Sequence, residues 1–224
     1  MRRDERESIN DCAGEDQSRN YTWCQRKELQ MSVLDQYSVE RIADRMAIQD
    51  VMYQWCRAID RLDFDGMRAV FHPDAIDTHG PYVGGVEGLI EWVRERHKPI
   101  PFSSHQISNI LIEFATPDLA LVETYIRTLQ RYPADAKASL AQLSGGKAGK
   151  PGVGMDLLTA SRYVDRFERR NGEWRIARRS VIQDWKQLLE VAEDALQPNP
   201  EWLVGRRDRQ DFVYLERAEL GIGR

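Results

Sequence analysis

The spacing of apolar residues changes along the chain from a helical period to a strand period. From Ser38 onward apolar side chains recur about every 3.6 residues, which predicts a helix of about twenty residues with Ser38 as its N-cap. DFDGMRAVF and VEGLIEWVRERH predict two further helices, which end before His72-Pro73 and before Pro99. The inward stripe expected on the first helix comprises Ile42, Met46, Gln49, Met52, Cys56, Ile59 and Asp63.

Four later segments alternate apolar and polar residues with the period of two that is typical of strands. They are HQISNILIEF, LALVETYIRTLQRY, MDLLTASRYVDRFERR and EWRIARRSVIQDW. Asn171-Gly172, between the last two, favours a tight type I′ hairpin. This order predicts an α+β fold, a cone-shaped α+β barrel in which three N-terminal helices pack on a curved, mostly antiparallel sheet and leave a cavity between helix and sheet.

Composition divides the chain into three parts. Residues 1–37 are mostly polar and predict an N-terminal arm, because they cannot bury enough apolar surface to offset the entropy of ordering. We expect the folded domain over residues 38–190 and a C-terminal extension over residues 191–224. The Gly- and Lys-rich segment 133–154 is too long for a plain hairpin turn, so we expect either a mobile cover over the cavity or a disordered insertion.

Composition and charge argue against a membrane-spanning protein and against a nucleic-acid-binding protein. The 224 residues suffice for one sizeable core and include no apolar stretch long enough for a membrane span. The 32 Lys and Arg against 36 Asp and Glu, with no long block of either sign, exclude a basic footprint for nucleic acid. No secretory signal and no CxxC spacing are found, so we expect a cytoplasmic protein without a disulfide framework or zinc ribbon. The expected partners are a hydrophobic small molecule and further copies of this chain, as a dimer or trimer.

Asp60 and His105 are the residues whose positions most suggest chemistry. Asp60 follows the apolar stripe of the first helix, and a carboxylate buried there needs a donor. His105 opens the first long strand and is the natural partner. Asp60 could instead pair with Arg57 or Arg61, and His105 could be an ordinary hydrogen-bonded histidine. An Asp–His pair in an apolar cavity would suit a general base, because the carboxylate fixes the tautomer and stabilises the protonated ring.

Three blocks of the sequence, DRMAIQDVMYQWCRAIDRLDFDGMRAVFHPDA, HQISNILIEF and RYVDRFERRNGEWRIARR, resemble the SnoaL-like group of the nuclear transport factor 2-like superfamily over about residues 38–186. Within that group the pattern is similar to gamma-hexachlorocyclohexane dehydrochlorinase, with scytalone dehydratase and bile acid 7α-dehydratase as mechanistic cousins. The resemblance implies that Asp60 and His105 are the catalytic pair and that Arg179 is an active-site arginine. Trp55 replaces the dehydrochlorinase lysine, which disfavours a chloride-leaving substrate and suits stacking on a flat ligand.

The orientation of Arg179 depends on the regularity of the last strand. If Asn171-Gly172 makes a tight turn, Arg179 faces the same side as Val164 and Val181. The opposite side then carries Trp174, Phe167 and Ile176. A β-bulge would reverse this arrangement.

Further candidates have a functional and a structural interpretation each. The related dehydratases place tyrosine phenols in the cavity, which suggests Tyr53, although Tyr53 could be an ordinary core residue. His79, Asn109 and Tyr125 are candidate pocket residues, and the last two could equally lie on the sheet surface. A metal site is not expected, because the candidate ligands lack a recognised spacing. Those candidates are His72, Asp74, Asp77 and His79.

These features together predict a cofactor-independent lyase that catalyses a dehydratase-type elimination on a hydrophobic cyclic molecule such as a steroid, terpenoid or polyketide. His105 would remove a proton, Asp60 would orient and stabilise its ring, and Tyr53 or Arg179 would assist the leaving group. An isomerase or cyclase could use the same base. A non-catalytic binding or assembly module, including one resembling the β-subunit of ring-hydroxylating dioxygenases, is the alternative from another class.

Overall fold

The computed structural model describes residues 35–192, 199 and 201–223. Nearly all of the predicted N-terminal arm lies outside these ranges, and its last three residues form a 3-10 turn, Asp35–Tyr37. No helix in the described ranges has both the length and the hydropathy to cross a bilayer.

Five α-helices are described, and the first three lie where the sequence predicts them. Their bounds are α1 Val39–Asp60, α2 Phe64–Ala69, α3 Val86–His97, α4 Lys137–Ser144 and α5 Phe212–Glu219. The Ser38 side chain accepts a hydrogen bond from the backbone N–H of Arg41, which confirms Ser38 as the N-cap of α1.

The strands form one open six-stranded sheet in the order β2-β1-β6-β5-β4-β3. All neighbours are antiparallel except β1 and β6, which run parallel. The α+β class and the mostly antiparallel sheet are therefore confirmed, while the described sheet does not close into a barrel. The strand bounds are β1 Phe71–His79, β2 Tyr82–Gly85, β3 Phe102–Thr116, β4 Leu119–Tyr132, β5 Met155–Arg170 and β6 Glu173–Glu190.

Strand β1 was not among the four predicted strands, because His72-Pro73 was interpreted as the end of α2. The helix ends earlier, at Ala69, and the chain continues as a strand through Pro73. Proline removes a ladder donor, and the β1–β6 register accordingly shifts between Phe71 and Ile76. The hairpin between β5 and β6 is confirmed, with positive φ at both Asn171 and Gly172.

The inward stripe of α1 was predicted correctly only in its C-terminal half. Met52, Cys56 and Ile59 are buried, whereas Ile42 and Met46 are 50% and 62% exposed. The N-terminal half buries Asp44 in their place, and its carboxylate accepts hydrogen bonds from Arg41, Arg169 and Trp174. A carboxylate that accepts hydrogen bonds from three donors can be buried. The apolar stripe therefore did not predict that Asp44 faces inward.

Buried apolar residues form two clusters, one beneath α1 and α3 and a smaller one beneath α4. Leu140 of α4 is 0% exposed in the smaller cluster, so a disordered insertion is wrong for this part of segment 133–154. The larger cluster holds α1 and α3 against the sheet. The C-terminal ends of these two helices lie near each other, since Arg207 contacts both Asp60 and His97. The smaller cluster consists of Ile100, Tyr132, Ala136, Leu140, Met155 and Leu157.

Candidate functional site

A cavity of about 380 Å³ lies between the inner face of the sheet, the end of α3 and the end of α4. His79 from β1, Arg96 from α3 and His105 from β3 line it, and Leu143 borders it from α4. Its remaining wall mixes apolar side chains with hydroxyl and amide groups from β4, β5 and β6. The volume and the mixed lining are typical of a site for a small molecule.

Asp60, the last residue of α1, contacts His105 as the sequence predicts. Its Oδ1 lies 2.6 Å from His105 Nδ1, and its Oδ2 accepts the backbone N–H of His105 at 2.8 Å. Ser103 Oγ donates to the same carboxylate at 3.0 Å. The side chains of His105 and Asp60 are only 7% and 11% exposed. Arg61, one of the alternative partners for Asp60, pairs with Asp211.

These contacts determine the ionisation of the pair. Burial raises the pKa of Asp60, but the charge and hydrogen bonds of His105 and the hydrogen bond from Ser103 outweigh burial and leave that pKa below its ordinary value. Asp60 is therefore an acceptor at neutral pH, and His105 Nδ1 carries the hydrogen that faces it. In the neutral form of the ring, the other nitrogen, Nε2, is therefore the one that carries a lone pair, as a general base requires.

His79 lines the same cavity, as predicted, and also has a carboxylate behind it. Its Nδ1 lies 3.3 Å from Asp77 Oδ1, and Asp77 is 1% exposed. The Trp92 ring lies 5.7 Å from the His79 ring, centroid to centroid. Two histidines with an aspartate near Nδ1 thus share one cavity, but of the two contacts only that between His105 and Asp60 is a hydrogen bond.

Arg179 points into the core beside the cavity wall. A bulge between Arg178 and Ile176 reverses the alternation of β6, so Arg179 pairs with Asp165 of β5 and faces inward, as Ile176 does. The prediction that Arg179 shares a face with Val164 is therefore wrong, and the bulged alternative is correct. Arg179 donates to both Asp165 oxygens, at 2.9 and 2.7 Å, and is 0% exposed. Its guanidinium carbon lies 4.0 Å from the ring centroid of Tyr163, which lines the cavity in its place.

The structure does not bring the other four predicted site residues to the cavity. Trp55 is 0% exposed in the core, where its Nε1 donates to Tyr163 Oη, so it cannot stack on a ligand. Tyr53 is 52% exposed on the outer side of α1. Asn109 is exposed at an irregularity of β3, and Tyr125 is 46% exposed on the outer face of the sheet. For Asn109 and Tyr125 the structure therefore agrees with the alternative that the sequence left open, a position on the sheet surface.

Three polar residues of the site were missed: Ser103, Gln130 and Arg96. Ser103 was the easiest to find, because it precedes His105 by two residues and so shares its strand face. Gln130 Nε2 donates to Ser103 Oγ at 3.2 Å, and Arg96 Nη1 donates to Gln130 Oε1 at 3.4 Å. These three residues form a hydrogen-bonded chain that ends at Asp60.

The residues considered as metal ligands have other partners. His72 Nε2 lies 2.9 Å from the Glu168 carbonyl oxygen, and Asp74 pairs with Arg170 at 2.6 Å. Within the described ranges, no group of three or more His, Cys, Asp or Glu side chains is arranged to hold a metal ion.

The chain resembles known proteins in both sequence and fold. A family profile described as the SnoaL-like domain matches residues 40–180. The hexachlorocyclohexane dehydrochlorinase of Novosphingobium barchaimii is 20% identical, with a TM-score of 0.56 over 72% of this chain and 99% of that one. A protein assigned as a scytalone dehydratase, from Novosphingobium aromaticivorans, is 18% identical, with a TM-score of 0.53 over 70% of this chain and 95% of that one. At these identities the likeness shows the cone-shaped α+β fold alone.

Curated relatives match a shorter stretch. Uncharacterized proteins of Mycobacterium tuberculosis and Mycobacterium bovis are 33% identical over 88 residues, which is 36% of this chain. The match spans 58% of the length of those relatives.

Proposed function

The chain belongs to the SnoaL-like domain family, and from that premise we propose that it is a cofactor-independent lyase that catalyses a dehydratase-type elimination on a cyclic small molecule. The observation that carries the proposal is the buried contact between Asp60 and His105 at the wall of the cavity. A base with a free Nε2 and a fixed tautomer is what the first step of such an elimination requires.

In the proposed reaction His105 Nε2 takes a proton from the carbon next to an activating carbonyl group. The electron pair of that C–H bond forms the new C=C bond as the neighbouring C–O bond breaks. Protonated at the start of the step, His79 gives a proton to the departing oxygen, which leaves as water. The proton taken up by His105 then returns to His79 through solvent, so the net change per turnover is the loss of one water molecule. Asp60 stabilises the positive charge that develops on His105, and this kind of base catalysis contributes about 10²–10⁴-fold to the rate.

The cavity lining supports a cyclic substrate that carries oxygen substituents. Ile126, Leu157 and Val181 offer apolar contact to a ring system. Thr128 and Ser161 offer hydroxyl groups that can hydrogen-bond to its oxygens. Arg179 and Tyr53, which the sequence suggested as aids to the leaving group, are not part of this proposal because neither lines the cavity.

Proton abstraction can be tested before the natural substrate is known. We expect the protein to catalyse deuterium exchange at the carbon next to the carbonyl in a panel of cyclic β-hydroxy ketones in D₂O, and to dehydrate one or more of them. His105→Gln should lower both rates by about 10² or more, since the base is lost. His72→Gln is the matched control, because His72 contacts the Glu168 carbonyl rather than the cavity.

Three outcomes of this experiment separate the competing functions. Exchange without loss of water would favour an isomerase or cyclase that uses the same base. Binding of the panel with no exchange in the wild-type protein would refute the proposal and favour a binding module. Exchange that His105→Gln leaves unchanged would refute His105 as the base.

A further inference from the structure

Arg96, in the last turn of α3, is a buried cation at the cavity wall. It is 4% exposed and lines the cavity. Its guanidinium donates to the Tyr132 hydroxyl at 3.0 Å and to Gln130 Oε1 at 3.4 Å, and its Nη2 contacts His97 Nε2. All three partners are uncharged groups, and Nε has no hydrogen-bond partner among the described residues.

His97 does not neutralise this charge. Burial holds the pKa of His97 well below its ordinary value, and the neighbouring Arg96 and Arg207 lower it further, so the ring is neutral. Arg207 Nη2 lies 2.7 Å from the other ring nitrogen, Nδ1. A neutral imidazole has one acceptor nitrogen, so it can accept a hydrogen bond from only one of the two guanidinium groups.

The cavity wall has no opposite charge of its own. Among its described lining residues are the cations Arg96 and Lys186, but no aspartate or glutamate. Asp60 and Asp77 lie behind the two histidines, and Asp60 already accepts hydrogen bonds from His105 and Ser103. The Trp92 ring, 4.9 Å from the Arg96 guanidinium carbon, offers a cation–π contact, which is weaker than a carboxylate partner. A buried ion without a counter-ion is costly to keep, so this arrangement points to an anion supplied by the ligand.

We propose that Arg96 binds a carboxylate group of the ligand, so that the substrate is a cyclic carboxylic acid. The claim that the substrate is a carboxylic acid rests on the lyase function proposed above. The claim that Arg96 binds a carboxylate does not depend on that function. A guanidinium is suited to this task because its planar array of N–H donors matches the two oxygens of a carboxylate.

A carboxylate bound at Arg96 would also orient the rest of the ligand relative to His105. Gln130 accepts from Arg96 and donates to Ser103, which donates to Asp60. The anion site and the Asp60–His105 pair are therefore joined by one hydrogen-bonded chain along the same wall. A carboxylate held at Arg96 fixes one end of the ligand and orients the remaining ring in the cavity with His105.

Two inert probes that differ only in charge test the proposal. Cyclohexanecarboxylate and cyclohexanecarboxamide have nearly the same shape, and their binding to the full chain can be measured by calorimetry at pH 7.5 and constant ionic strength. We expect the wild-type protein to bind the carboxylate about tenfold or more tightly than the carboxamide. Arg96→Met should remove this preference, and Arg96→Lys should keep part of it, because the charge remains while the planar donor array is lost.

Matched controls separate Arg96 from general electrostatics and from catalysis. Lys186→Met removes the other lysine or arginine among the described lining residues and should keep the preference, as should His105→Gln, which removes only the base. Equal binding of the two probes by the wild-type protein would overturn the proposal, even if Arg96→Met did not fold. A preference that persists in a folded Arg96→Met variant would overturn it as well.

The same measurements distinguish this proposal from the lyase function. A carboxylate preference that depends on Arg96, in a protein that catalyses no exchange or dehydration, would refute the lyase and leave the anion site. Dehydration of cyclic hydroxy ketones by a wild-type protein that binds cyclohexanecarboxylate and cyclohexanecarboxamide equally would refute the anion site and leave the lyase.

Discussion

The Asp60 carboxylate joins the end of α1 to β3 through its hydrogen bonds with His105 and Ser103. We expect Asp60→Asn to lower the free energy of unfolding at pH 7 by about 1–3 kcal/mol, since charge-assisted hydrogen bonds are lost from a buried site. Urea denaturation measures this loss. Asp50→Asn, on the exposed side of the same helix, is the control and should change little.

The pH dependence of the same variant follows from the lowered pKa of Asp60. A carboxyl whose pKa is lower in the folded state stabilises the fold fully above its unfolded pKa of about 3.9, and this contribution is lost as the pH falls through the folded value. Below about pH 4 the wild-type protein should therefore lose stability more steeply than Asp60→Asn. Parallel curves for the two proteins would contradict the ionised contact.

The sequence could predict Asp60 and His105 because a buried carboxylate needs a donor and because both residues match a family pattern. The sequence could not predict that Tyr53 lies on the exposed side of α1, away from the cavity. Asp60 and Tyr53 are seven residues apart and occupy nearly the same side of α1, yet Asp60 is 8% exposed and Tyr53 is 52% exposed. Three successive residues at the helix end, Ala58, Ile59 and Asp60, are buried, which one helix face alone does not allow. β3 and the distant Arg207 cover this end, and no local period reports them.

At the scale of elements, the bulge of β6 determines that the Arg179 guanidinium is buried rather than exposed. It turns Arg179 inward, onto the carboxylate of Asp165, and both side chains are 0% exposed. We expect Asp165→Asn to destabilise the fold by about 3–5 kcal/mol, because it leaves a buried guanidinium without its counter-ion. Asp184→Asn, which removes an exposed partner of Arg162, is the control and should have little effect in the same denaturation experiment.

A double variant tests the cause of that loss. Replacing the pair by apolar residues, Asp165→Leu with Arg179→Met, removes the unpaired charge as well as the contact, so it should be more stable than Asp165→Asn. A double variant less stable than the single one would show that shape rather than charge dominates this site. Ala177 lies within the bulge, and nothing in the local sequence predicts a bulge at this residue. The sequence alone therefore could not decide between the two orientations of Arg179.

Helix α4 divides its leucines between the core and the cavity. Leu140 is 0% exposed in the smaller cluster, whereas Leu143 borders the cavity. Leu140→Ala should destabilise the fold by about 2–5 kcal/mol. Leu143→Ala should weaken the binding of cyclohexanecarboxylate with a much smaller loss of stability. Thermal denaturation and calorimetry of the two variants measure both effects. If Leu143→Ala bound the probe as the wild type does, a cover function for segment 133–154 would be contradicted.

At the scale of the whole molecule, the family and the α+β fold could be predicted because the blocks that carry them lie within residues 38–186, and the match over residues 40–180 confirms them. The contribution of the C-terminal residues could not be predicted. Arg207 lies 147 residues after Asp60, and its guanidinium donates to the carbonyl oxygens of Asp60, Ile59 and Ile100. Pairings across such a sequence distance leave no periodic pattern in either segment.

Arg207 thus caps the C-terminal end of α1, where the last carbonyl groups lack helical partners and favour a cation. We expect Arg207→Met to lower the free energy of unfolding by about 3 kcal/mol, because buried carbonyl groups lose a charged donor. The variant should also speed hydrogen exchange of the His105 amide, whose acceptor is the Asp60 carboxylate at that helix end. Arg206→Met, which removes an exposed pairing with Asp208, is the control. Unchanged exchange at His105 in a destabilised Arg207→Met would show that Arg207 supports the fold without holding the candidate base in place.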